Sequence, residues 1–406
     1  MANLRKMNTK DIGTMGQLCQ AFIDYILPLC NNAKQIHFVF DSYIDGSVKD
    51  STRCHRYQSP PIECNMVNKN TPLPLDMSTF WTCNKNKEKL QCLLGKYILE
   101  LDIGEVILSS YVTDGEIQYS SDKLGDTIED LNLNIEEADV RLFPHAQYAI
   151  RKGCDRIVVL SNDADVIVGL IHHCSQFKKD GLGELWCRAG VATTTRFIPI
   201  HTLAERMGPE LCDMLPAMHD LTGCDATSKV GTKVSGIKQL PKADLVNFGK
   251  DPRVFDVDDM LIKGENYLIQ VIKPGSLCKS MDELRHDLYH HSKSKSFVDL
   301  PPTSFEIRGH CLRAVYNTYM YRYALCGEMP SLDPRDFGYE VDDNLLVPSL
   351  YSNVYPTNLI QPCNCKACAT IRCKCRAAGI SCCAYCKCSG KGDQCRNPRN
   401  PNNDIV

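Results

Sequence analysis

Ten cysteines crowd into the stretch from Cys363 to Cys395, and that density limits what the end of this chain can fold into. They stand at positions 363, 365, 368, 373, 375, 382, 383, 386, 388 and 395, while the other fourteen of the 24 are scattered singly over residues 1–362. A secreted disulfide protein spreads paired cysteines through a small chain; a large body with isolated thiols and one dense cluster points to a reducing compartment and a metal site. Each Cys-x-Cys pair brings two thiolates to one ion or to adjacent ions, and zinc prefers tetrahedral thiolate sets. Few large apolar side chains lie between the cysteines, so metal has to supply the folding free energy. The competing readings are a disordered basic tail with idle thiols and a disulfide knot.

Composition sets the frame for the rest. The 406 residues are 43% hydrophobic and 23% charged, as in a soluble globular protein of two or three domains. No run approaches the roughly 18 apolar residues of a membrane span, so no membrane association is expected. Met1-Ala-Asn-Leu-Arg-Lys-Met has no apolar stretch behind it, so no signal peptide is expected. The net charge is −3 overall. Residues 351–406 carry eight Lys/Arg and two Asp, a balance of +6, which leaves −9 on the body. An acidic body with a basic tail suggests that the tail meets a polyanion.

In the body, Ile36-His-Phe-Val-Phe-Asp41 is a short apolar run that ends in a carboxylate. Ile157-Val-Val-Leu-Ser-Asn-Asp163-Ala-Asp165 repeats the design and leads into a helix from Val166 to about His172. Both runs are continuous rather than alternating, which predicts strands covered on both faces. Helical segments between them make the fold class α/β. Ligands in such sheets sit beyond the carboxyl ends of the strands, where Asp41, Asp163 and Asp165 would lie. Asn134-Ile-Glu136-Glu137-Ala-Asp139 opens a helix to Ile150, and Asn134 with Glu137 fits a capping box. His219-Asp220-Leu-Thr-Gly223-Cys-Asp225 is followed by a turn carrying Lys229, Gly231, Lys233 and Gly236, a composition that suits close approach to phosphate.

The cysteine segment resembles the tesmin-like CXC domain through its Cys-x-Cys repeats, the Cys373-Lys-Cys375-Arg-Ala-Ala-Gly-Ile-Ser-Cys382 core and the closing Cys395-Arg-Asn. In that family nine cysteines hold three zinc ions, some thiolates bridging. Three tetrahedral ions need about twelve bonds, which six terminal and three bridging thiolates supply. The resemblance implies Cys363, Cys365, Cys368, Cys373, Cys375, Cys382, Cys386, Cys388 and Cys395 as ligands, with Cys383 spare. The gap from Cys365 to Cys368 is shorter than in the tesmin-type repeat. The family binds duplex DNA, and Lys366, Arg372, Lys374, Arg376 and Lys387 are the side chains placed to contact phosphate or to balance the cluster's charge.

The body motifs, taken in order over residues 36–240, resemble the flap-endonuclease branch of the PIN-like nucleases. Asp41 matches the family's Phe-Asp strand end, followed by Lys49, Arg53 and Arg56 as substrate-facing basic residues. Glu137 and Asp139 match its paired acids, Asp163 and Asp165 its Asp-x-Asp pair, and Asp225 the Gly-Cys-Asp that precedes a DNA clamp. The resemblance implies two Mg²⁺ or Mn²⁺ ions held by these six acids for phosphodiester hydrolysis. The substrate would be RNA or structured DNA. The family's opening strand, which ends in another metal-binding Asp, has no counterpart ahead of the helix predicted over Met15–Leu29. The combination of the two domains resembles uncharacterised invertebrate proteins tied to mobile elements.

The expected layout is a nuclease-type domain over 1–240 with a mostly parallel sheet, a helical extension over 241–328, a linker over 329–362 and a zinc module over 363–397. Helices are also expected from Phe80 to Leu101 and from Thr303, a capping box with Glu306, to Gly327, and a third strand over Asp102–Ser110. His286, His290 and His291 read as a solvated helix face. The implied function is a nuclear nucleic-acid-binding protein. It is either a metal-dependent nuclease delivered to DNA by its zinc tail or an inactive scaffold that regulates at chromatin.

Overall fold

The computed structural model describes residues 4, 7–30, 32–43, 62–65, 67–100, 105–113, 116–121, 128–131, 133, 135–190, 192–291, 300–327, 331–342, 345–349, 362–383, 386–390 and 395–399. It divides into two units, Met1–Ser349 and Leu350–Val406. No helix among the described residues is long and apolar enough to cross a membrane.

The larger unit is a mixed α/β structure. Helix α1 (Met15–Ile26) starts at a capping box between Thr14 and Gln17 and buries Leu18, Phe22, Ile23 and Ile26. Strand β1 (Gln35–Val39) follows, then α2 (Met77–Phe80) and α3 (Asn84–Leu99). These two replace the single helix expected from Phe80, because Cys83 is extended (φ −91°, ψ 122°) and interrupts it. Leu90, Leu94 and Ile98 of α3 join the α1 residues in one core with Ile36 and Phe38 of β1. Strand β2 (Glu105–Thr113), whose expected first residues 102–104 lie outside the described residues, pairs parallel with β1, and β3 (Glu116–Ser121) pairs antiparallel with it.

A second sheet repeats the plan. After α4 (Ala138–Arg151), β4 (Arg156–Leu160) leads into α5 (Ala164–Lys179). Strand β5 (Glu184–Ala189) pairs parallel with β4, and β6 (Arg196–Pro199) pairs antiparallel with β5. The expected mostly parallel sheet is therefore, among the described residues, two three-stranded sheets, each half parallel and half antiparallel. Coverage of β4 on both faces fails as well, since Val158 is 43% exposed. Among the described residues, β4 pairs with β5 alone, so an apolar run there does not mean an interior strand.

The remaining helices are α6 (Ile200–Met207), α7 (Pro209–Thr222), α8 (Lys233–Gln239), α9 (Val257–Ile272), α10 (Met281–His291) and α11 (Ser304–Arg322). The Thr303–Glu306 capping box opens α11, which ends at Arg322, short of Gly327. Strands β7 (Tyr339–Asp342) and β8 (Leu345–Pro348) form a hairpin within the stretch read as linker. A large core unites α4, α5, α7, α9 and α11 through Phe143, Leu170, Leu221, Leu268 and Val315, all essentially inaccessible.

Among the described residues, the smaller unit has one regular element, α12 (Lys374–Ala377). Its interior is made of sulfur: eight cysteines are buried, with Cys365 packed against them, while Ile371 and Ile380 are 80% and 44% exposed.

Candidate functional site

In the smaller unit, close thiol contacts decide the chemistry. Sγ–Sγ separations are 3.5 Å for Cys363–Cys368, 3.6 Å for Cys375–Cys386, 3.7 Å for Cys368–Cys382 and 3.9 Å for Cys363–Cys382 and Cys373–Cys382. A disulfide would bring the sulfurs to about 2.05 Å. Zinc at about 2.3 Å from four sulfurs in a tetrahedron sets its sulfurs about 3.8 Å apart. The observed spacing matches the tetrahedron edge.

Four sets of four thiols have all their sulfurs within 4.8 Å of one another. They are 363/373/375/382, 363/382/386/388, 363/365/368/373 and 368/382/388/395. Together they use the nine cysteines that the spacing marks, and Cys383 belongs to none and is exposed. Cys363 and Cys382 each belong to three sets, the place expected of a thiolate shared between ions. The cluster is therefore compatible with zinc.

Burial raises the pKa of Cys363, Cys368, Cys375 and Cys382, so the peptide by itself favours thiolate formation at only some of the sulfurs. Cys373 caps α12; burial works against its ionisation, but the amides of Arg376 and Cys375 and the thiols of Cys363 and Cys368 bring its pKa down to about 7. Burial likewise opposes Cys386, and the amides of Cys383 and Cys363 with the Cys375 thiol lower it to about 7. The amide of Asn397, wholly buried, donates to Cys382 Sγ at 3.3 Å and to Ile380 O at 2.8 Å. Asn397 orients a shared sulfur, and no metal-ligand spacing rule finds it. Gly390 (φ 65°) lets the closing turn touch the cluster, because a Cβ there would lie 2.5 Å from Cys382 O. Lys366, Arg372, Lys374 and Lys387 are exposed, whereas Arg376 is half-buried and its Nη1 donates to Ala369 O at 2.5 Å.

In the larger unit, the expected acids gather in part. Asp41 follows β1, and its Oδ1 accepts the amide of Ala138 at 3.0 Å. It thus caps α4 from 97 residues away. The expected Asn134–Glu137 capping box is absent, because Glu137 is itself the N-cap and its side chain caps nothing. Asn134 lies outside the described residues. Arg141 locks the junction: fully buried, it donates to Phe40 O and Ser42 Oγ, each at 2.7 Å, and to Ile135 O. A buried guanidinium needs such partners, and these carbonyls hold the end of β1 against the start of α4.

Asp163 caps α5 by accepting the amide of Asp165 at 3.0 Å. Asp165 Oδ1 lies 2.5 Å from His219 Nε2, and the His219 carbonyl accepts Lys233 Nζ at 2.5 Å. Asp220 is buried, receiving Asn317 Nδ2 at 2.8 Å and Thr318 Oγ1 at 2.6 Å. Desolvation raises its pKa, the neighbouring His219 and the Thr318 and Asn317 bonds oppose this, and Asp165 adds to it. Desolvation lowers the pKa of Lys233, against the pull of Cys224, Asp220 and Asp165. Lys233 therefore faces the acids rather than open solvent.

Tyr321 is buried in the field of several of these acids. Burial raises its pKa, and the fields of Asp165, Glu137, Asp220 and Asp139 raise it further. Asp225 is exposed on the turn after α7, where Gly223 (φ 106°) allows the chain to pack on Lys229, itself exposed. Lys49, Arg53 and Arg56 lie outside the described residues. Among the described residues, every group of three or more ligand atoms within 4.8 Å is cysteine, so the carboxylates do not close to that distance. His219, Asp220, Asn317 and Tyr321 were missed as site residues. The run His219-Asp220 carries a signal only once the fold sets it beside Asp165.

No family model matches the chain, and neither a curated protein nor a solved structure matches it.

Proposed function

We propose that this chain is a nuclear nucleic-acid-binding protein whose cysteine segment is a CXC-type module folded around three zinc ions and directed to duplex DNA. The interlocked thiol quartets carry this reading, because their sulfur spacing suits ZnS₄ and the described residues of the segment form no apolar core to replace the metal. Nine thiols satisfy three ions if three are shared. Exposed Lys366, Arg372, Lys374 and Lys387 supply a phosphate-facing charge. Elemental analysis of the full chain should find close to three zinc ions, and chelation should abolish a duplex-DNA mobility shift. A zinc-free protein that still binds DNA would overturn the reading.

A second reading for the body is a PIN-like, Mg²⁺- or Mn²⁺-dependent nuclease acting on RNA or structured DNA. It draws support from Asp41, which caps the helix that carries Glu137 and Asp139. Carboxylates brought within reach of one another would hold hard cations, which supply water activation in such enzymes. The test is cleavage of labelled single-stranded, duplex and flapped substrates with Mn²⁺ or Mg²⁺, compared with the Asp163→Ala, Asp165→Ala double variant. Cutting that the variant abolishes supports the enzyme. Intact substrate with retained DNA binding leaves an inactive nuclease-like scaffold that tethers to chromatin.

A further inference from the structure

A cavity of about 160 Å³ lies between the start of α4, helix α11 and the β7–β8 hairpin. Its chemistry differs from that of a phosphate site. Tyr316 and Tyr339 line it with ring centroids 6.1 Å apart and planes at 68°, so two aromatic surfaces meet in a corner. Met320 and Leu346 add apolar wall, and Glu136 and Glu137 bring two carboxylates to the lining. No lysine or arginine among the described residues lines it.

Each feature narrows the ligand. The volume is well below the roughly 300 Å³ at which drug-sized ligands are held, so only a small group enters. The acidic lining disfavours phosphate and carboxylate. Ring faces carry negative quadrupole charge and attract cations, most strongly where water is displaced. Tyr316 senses the carboxylates directly, since burial and then Glu136, Glu137 and Asp333 push its phenol up to about 12. An ordinary ammonium holds its water tightly and gains little in an apolar corner. Methylation spreads the charge over an apolar surface, which suits walls of Tyr, Met and Leu.

We propose that this pocket binds a methylated ammonium group, with the Tyr316–Tyr339 corner against its methyls and Glu136 and Glu137 balancing its charge. The group comes from a methylated lysine side chain or from a free quaternary amine. The site stands independently of the zinc module, and it shares Glu137 with the acids of the nuclease reading.

The test uses the zinc-loaded full chain without added Mg²⁺ or Mn²⁺. Binding of choline, of a peptide bearing trimethyllysine, and of 3,3-dimethylbutanol, the neutral isostere of choline, is followed by tyrosine fluorescence and by NMR. The cations should bind at least tenfold more tightly than the neutral alcohol. Tyr316→Leu, which keeps apolar bulk, should lose at least tenfold, Tyr316→Phe should retain binding, and Glu136→Gln should weaken it severalfold. Far-ultraviolet circular dichroism checks that each variant is folded. Tighter binding of the peptide assigns a protein side chain as the source, and equal binding assigns a free amine. Equal affinity for the neutral alcohol, binding unaffected by Tyr316→Leu in a folded protein, or no binding of either cation at millimolar concentration overturns the proposal.

Discussion

His219 Nε2 and Asp165 Oδ1 lie 2.5 Å apart, joining the C-terminal half of α7 to the first turn of α5 across 54 residues of chain. Both side chains are largely withdrawn from solvent, at 6% and 15% exposure. A hydrogen bond to a charged group in that setting contributes about 1.5–3 kcal/mol. His219→Ala should therefore lower unfolding stability by about 2 kcal/mol, measured by urea denaturation. A double-mutant cycle with Asp165→Asn should show a coupling above about 1 kcal/mol. Strict additivity would mean that the contact contributes no energy of its own.

Acid should loosen the body through a different pair. His37 Nδ1 and His145 Nδ1 lie 2.9 Å apart between β1 and α4, so one ring donates and the other accepts, both neutral. Burial lowers His37 to about 4 and holds His145 well below its usual value, the latter helped by His37 and Arg141. With folded pKa values below the unfolded 6.5, the unfolded chain binds more protons as pH falls. The stability conferred by keeping the rings neutral is whole above pH 6.5 and lost on descending toward 4. For His37 this amounts to about 3 kcal/mol. His145→Gln should flatten the pH dependence of denaturation between 6.5 and 4.5.

The two basic residues on α12 should behave differently. Lys374 is exposed, and Lys374→Ala should weaken DNA binding evenly across sequences and reduce the salt slope by about 1. Arg376 is held on Ala369 O, so Arg376→Ala should act first on the stability of the zinc-loaded segment, read by chelator resistance. Identical effects of the two on the salt slope would refute this division.

Gly390→Ala should weaken zinc retention. A β-carbon at φ 65° would press on the Cys382 carbonyl, beside a thiol common to three quartets. The expected result is faster loss of metal to a chromophoric chelator, with Gly379→Ala as the comparison. Gly379 has a similar φ of 69° but open space around its missing side chain. Equal loss in both would assign the effect to backbone strain alone.

These contrasts indicate what a linear reading can reach. The Thr303–Glu306 box at the start of α11 and the mixed α/β class were legible because they depend on near neighbours and on strand–helix alternation. The gathering of the thiols was legible because the cysteines are packed closely along the chain, as in segments that could bind zinc. The start of α4 was not, because its N-cap is Glu137 and its first amide is held by Asp41, far away in sequence. The single sheet was misread because apolar continuity at Ile157–Leu160 resembles an interior strand, whereas β4 has one partner among the described residues and leaves Val158 exposed. The role of His219 depends on the same kind of distant contact, which no spacing rule encodes.

Sharing of Cys363 and Cys382 among quartets has a consequence for how the tail responds to its surroundings. In the proposed zinc module, the first ion to bind would order sulfurs that its neighbours also need, so each later ion would meet ligands already in place. Partly loaded forms would then be scarce, and the segment would pass between empty and full over a narrow interval of free zinc. Three sites so joined would act as a single threshold, and the proposed attachment to DNA would follow zinc supply in an all-or-none manner.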